Sequence, residues 1–273
     1  MELIIKLRDQ LKRIEVFTHD QRLILAAGFG VTIFAIALMY YSAYQLLIIP
    51  LVILINYLVL NKILISRKRA HIVASLIRPT LWLLILYAYI FTIHVIFLIP
   101  IIWFVALCGL VGVGYMGLLL QEVRNKPNVI FVNVLHIALV IFGLTLASLM
   151  LAYWHWPTVL IMLGVWLTAF FLSLAWLLSF TNKPYVIASV WSLIVLEIFW
   201  VTSVWINLYH IPQTSLLLSQ SALIVGALAY GFGGLYYHYK QNTLKRSLLF
   251  EYISVTAVIF IALLLLSKWA VAI

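Results

Sequence analysis

Glu197 is the residue whose presence is hardest to explain by packing. It stands twelve residues into an apolar segment at about 185–206, and it is the one acidic residue in the middle of such a segment. A charge at the centre of a bilayer helix costs at least about 2.5–3.5 kcal/mol on insertion scales. The carboxyl must therefore be neutral, paired, or turned toward a wet cavity. Proton binding is one consequence of that choice, and a hydrogen bond to a neighbouring helix is the other. His94 and His136, in two other apolar segments, are candidate partners, and Asn133 lies one turn before His136 on the same helix face. Glu197, His136, Asn133 and His94 together make the candidate binding set.

Other chemistries leave no pattern in the chain. There is no H-E-x-x-H, no Asp-rich motif and no paired carboxylate, so neither a metal nor another cofactor is expected. Ser and Thr are scattered, with no G-x-S-x-G and no phosphate-cradling Gly-rich loop. The reading therefore leans away from an enzyme. Cys108 is the single cysteine and sits in an apolar run, so an intramolecular disulfide is impossible and a small buried hydrophobe is the expected role.

The elements that must hold these residues follow from composition. Of 273 residues, 66% are hydrophobic and 9% charged, whereas a soluble domain carries about 25% charged residues. So few charges cannot cover a water-facing surface. Apolar segments fall at about 22–40, 44–61, 79–97, 99–120, 129–153, 157–180, 185–206, 214–236 and 250–270, each close to the roughly 20 residues that span a bilayer. From Pro79 to Leu120 no charge interrupts the run, and at about 1.5 Å per residue that stretch would be about 63 Å long as one helix. It must cross and return, with Pro100 marking the turn. The expected fold is an all-α polytopic membrane protein of nine transmembrane helices.

Residues 2–17 carry Leu3, Leu7, Leu11 and Ile14 on one face and charges on the rest, which predicts an amphipathic interfacial helix. Thr18 and Gln21 match a capping box before the first crossing. The expected organisation is an interfacial segment, 1–20, and a single transmembrane domain, 21–273.

Lysine and arginine test the count. With nine crossings, every one of the 17 except Lys268 falls in the gaps on the N-terminal side. Cytoplasmic loops hold the Lys/Arg excess, so the N-terminus is expected inside and the C-terminus outside, in a cell membrane. The opposite connections are short and aromatic, as in Tyr153-Trp154-His155-Trp156-Pro157 and Leu208-Tyr209-His210-Ile211-Pro212. Their His155 and His210 read as turn residues at headgroup depth. The cluster Arg67, Lys68 and Arg69 suits anionic lipid headgroups. Basic residues spread over short loops argue against nucleic-acid binding.

Asn125-Lys126-Pro127-Asn128-Val129-Ile130 resembles Asn182-Lys183-Pro184-Tyr185-Val186-Ile187, 57 residues on. Each precedes a helix that ends near an aromatic-His-x-Pro turn. A repeated two-helix hairpin is expected, an arrangement common in transporter folds. Gly109, Gly112, Gly114 and Gly117, and Gly226, Gly231, Gly233 and Gly234, predict close helix packing. Two readings of function remain: a permease-like or lipid-handling protein for a small apolar or amphiphilic solute, with Glu197 as a possible proton link, or a membrane-embedded subunit or scaffold serving other membrane proteins.

Overall fold

Loss of backbone partners in lipid forces each apolar run to satisfy its own N–H and C=O groups, and the helix does so within one segment. The computed structural model describes residues 28, 32, 69–98, 100–123, 129–178, 181, 183–210 and 216–266. The N-terminal amphipathic segment, the first two crossings apart from Gly28 and Thr32, the cluster at 67–68, the motif at 125–128 and Lys268 lie outside the described residues.

Seven long helices follow in order: α1 (Arg69–Phe97), α2 (Ile101–Val123), α3 (Val129–Trp154), α4 (Thr158–Leu177), α5 (Pro184–Ser203), α6 (Gln220–Lys240) and α7 (Arg246–Leu266). Among the described residues, six carry stretches long and apolar enough to cross a membrane, which makes the chain a helical membrane protein. The exception is α6, whose glycines, Gln220 and the tyrosines 230, 236, 237 and 239 dilute its apolar content. Pro79 does not open α1. It lies ten residues inside the helix, although the apolar stretch begins beside it at Ile77.

Between α5 and α6 the chain leaves the helical pattern. The segment expected to cross from 214 enters as a strand pair, β1 (Leu208–His210) and β2 (Leu217–Ser219), antiparallel with Tyr209 opposite Leu218. The α3–α4 turn is different: His155 alone takes a left-handed φ of 49° and Pro157 caps α4, a conformation His tolerates better than most residues. The two aromatic-His turns thus have unlike structures.

The core joins α1, α2, α3 and α4, with Leu83, Ile93, Tyr115, Leu139 and Leu149 fully buried in it. Helix α5 packs mainly on α4 and less on α6, while α6 packs on α3 and α7. Glycines set the α6 contacts. A Cβ at Gly226 would meet Ile141 at 2.8 Å, and Cβ atoms at Gly231 and Gly234 would overlap Thr256 and Tyr252 of α7. Ser and Thr inside the helices bond back to their own turns, as Thr145 Oγ1 does to the Ile141 carbonyl at 2.8 Å and Ser173 Oγ to Ala169 at 2.7 Å.

Candidate functional site

Strand β2 is the least expected backbone in the bundle, because unpaired strand edges do not survive in hydrocarbon. Leu217 and Ser219 are 5% and 2% exposed. Their free edge is closed by side chains. Tyr89 on α1 donates its hydroxyl to the Leu217 carbonyl at 2.6 Å and accepts the Leu217 N–H at 3.1 Å. Thr145 on α3 accepts the Ser219 N–H at 3.2 Å. Ser219 then caps α6 by accepting the Ala222 N–H at 3.2 Å. Ser221 bridges Ser219 at 2.9 Å and Ser148 at 3.4 Å. Asn207 completes the cluster, accepting the Gln220 N–H on its carbonyl at 2.9 Å and donating Nδ2 to Gln220 Oε1 at 2.7 Å. The result is a buried, mutually satisfied polar cluster toward the aromatic end of the bundle.

A second cluster forms toward the basic end. Arg78 is 7% exposed and donates to the Ala175 carbonyl at 2.5 Å. Trp176, next in the chain, donates Nε1–H to Asn133 Oδ1 at 2.5 Å and stacks on the His136 ring at 5.9 Å between centroids. Tyr236 lies against Trp176, donates to Thr181 Oγ1 at 3.1 Å, and sits under the Lys240 ammonium at 5.7 Å. Helices α1, α3, α4 and α6 each contribute a residue, and the cluster carries positive charge where the bundle meets its Lys/Arg-rich loops.

On the α3–α4 face lies an apolar cavity of about 220 Å³, lined along α3 from Leu139 to Met150. Leu139, Gly143 and Ala147 of α3 face Leu160, Gly164 and Thr168 of α4 across it, Trp156 stands at one end and Val195 of α5 at its side. Thr168 is its one hydroxyl. Gly164 has open space where a Cβ would point, so its bare backbone widens the cavity. The volume is below the roughly 300–1,000 Å³ of pockets for drug-sized ligands, which suits a slender chain better than a bulky ring system.

The structure brings Asn133 and His136 into one cluster and separates the other two candidates from it. His94 lies at the far end of α1 with its ring 5.1 Å from that of Phe104, and 16 residues beyond Arg78 at 1.5 Å each put it about 24 Å away. Glu197 is exposed on the outward side of α5 and has no polar partner among the described residues. Arg78, Trp176, Tyr89 and Thr145 were not singled out by sequence. Arg78 read as one more topological charge and Trp176 as one more apolar residue. The run Ser219-Gln220-Ser221, polar within an otherwise apolar segment, is the local signal that marks a polar cluster, though it does not tell a strand from a helix start. Comparison with family models, with curated proteins and with solved structures finds no match for this chain.

Proposed function

We propose that this protein binds an apolar chain, of a lipid or a similarly amphiphilic solute, in the cavity between α3 and α4. The observation that carries the reading is the lining: Thr168 and the Met150 thioether apart, the walls are aliphatic, glycine or indole, with Gly164 leaving open space beside α4. An apolar cavity of this kind stays dry and takes apolar guests. Trp156 at its mouth is the residue type that settles at headgroup depth, so a bound chain would lie along α3 and α4 with its polar end near the aromatic turn.

The Lys/Arg distribution supports a cell-membrane protein with the basic end in the cytoplasm. Arg67, Lys68 and Arg69 supply charge for anionic headgroups on that side. Passage of solute through the protein is a further step, and no proton link through Glu197 is part of this reading, because Val195 borders the cavity while Glu197 points outward from α5.

The test is retention of apolar molecules by the purified full-length chain, read by native mass spectrometry after mild detergent extraction. Gly164→Phe places a ring in the open space beside α4. Wild-type protein should carry a stoichiometric lipid or isoprenoid, and the variant should lose it by at least about tenfold while unfolding at the wild-type temperature. Equal loading of both would remove the cavity from consideration.

A further inference from the structure

Helix α5 shows two unlike sides. Ala188, Ser192, Val195 and Phe199 are buried against the bundle. On the other side Val186, Val190, Leu193, Glu197, Trp200 and Val204 are exposed, and their spacing is four, three, four, three, four. That is the a/d spacing of a coiled-coil seam. Exposed apolar side chains need no cover in lipid, so Val190 or Trp200 alone implies nothing. The carboxyl at the centre of the stripe does. It sits six residues before the helix end at Ser203, about 9 Å along the axis, beyond the reach of its own short side chain.

We propose that two copies of this chain associate through α5, with Glu197 meeting Glu197 across the seam. Copies inserted by the same topology run the same way through the membrane, so a two-fold axis along the membrane normal sets α5 parallel to α5 and each Glu197 at the same depth. A protonated carboxyl is both donor and acceptor. Two of them satisfy one another with no cation supplied from outside, and a single polar residue on an apolar seam fixes the register. The chain's first apolar segment is engaged on another side, since Gly28 and Thr32 lie against Met116 and Gly112 of α2, and α2 packs chiefly on α1 while α5 packs on α4 and α6. This inference is independent of the cavity reading, which makes no use of the outer side of α5.

The experiment uses the full-length chain in native membranes with Cys108→Ala as background. Leu193→Cys and Trp200→Cys, each with Glu197 intact, should form disulfide-linked dimers under a mild oxidant, and Val258→Cys, exposed on α7, should not. In lipid nanodiscs or diluted bilayers, fluorescence transfer between labelled copies should show Glu197→Leu weakening self-association by about tenfold, and Glu197→Gln, whose amide also donates and accepts, holding it near wild type. Seam cysteines that link no better than Val258→Cys, or that link to a different protein, overturn the proposal. So does unchanged association of Glu197→Leu.

Discussion

Tyr89→Phe isolates the support of the buried strand. The change removes one oxygen and nothing else, at a residue only 1% exposed. Two hydrogen bonds go with it, at 2.6 and 3.1 Å, both to the backbone of Leu217. Interhelical hydrogen bonds measured in membranes average about 0.6 kcal/mol, which gives about 1 kcal/mol for the pair. The greater cost lies in what is left behind: the Leu217 N–H and C=O, buried and without Tyr89, at about 1–3 kcal/mol for an unsatisfied group. The expected loss is therefore about 2–3 kcal/mol in reversible unfolding, with faster amide exchange concentrated at 216–221. Thr145→Val, which strips the acceptor from the Ser219 N–H, should loosen the same residues. The double variant should fall short of the sum, because once the strand swings free the second cap has nothing to hold. A Tyr89→Phe protein with wild-type stability and unchanged exchange at 216–221 would refute the view that side chains close this edge.

Three further expectations rest on other contacts. Gly234→Ala puts a methyl into the Tyr252 ring and should cost about 1–3 kcal/mol, with Tyr252→Ala in the same chain recovering part of it; unfolding measurements on the three variants decide. Trp176→Phe removes the indole donor from Asn133 and should cost about 1 kcal/mol. It should also change the chemical shift of His136, whose ring stacks on that indole. The Gly164→Phe protein should keep the wild-type unfolding temperature while losing its apolar guest, since the ring enters open space and displaces no neighbour.

The apolar segments were legible because lipid leaves one choice of structure. A run of about 20 apolar residues must be a helix whatever its neighbours are, so α2, α3, α4 and α5 fall within a few residues of their expected bounds. The α5–α6 connection was not, because its structure depends on partners distant in sequence. Tyr89 lies 128 residues before Leu217, and Thr145 lies 74 before Ser219. Nothing local distinguishes a helix start at 214 from a strand that needs those two hydroxyls. The same limit explains Arg78. Its loop position gave its side of the membrane, while its contact with Ala175, 97 residues on, required the fold. Asn133 and His136 were legible as a pair by helical period alone, but their partner Trp176 came from another helix.

Most polar groups at membrane depth find a partner within the chain, and one that does not is informative. Ser148, Ser173, Thr145 and Thr202 turn back on their own helices. The strand edge, which has no helix to turn back on, is closed by Tyr89 and Thr145. Asn133 takes the Trp176 indole and Gln220 takes Asn207. Each solution lies within one chain and uses groups that cannot ionise near neutral pH. Glu197 has no hydrogen-bond partner among the described residues, a state it shares with the buried His94 Nδ1, Trp166 Nε1 and Tyr209 hydroxyl, but it is the carboxyl among them, and its charged form is costly to place in lipid. It stands where the period of its helix aligns it with the apolar stripe rather than with the buried side. A carboxyl placed there by chance would be selected against by insertion cost alone. Its position at the centre of the stripe makes sense when the missing partner is an identical group carried to the same depth by a second copy.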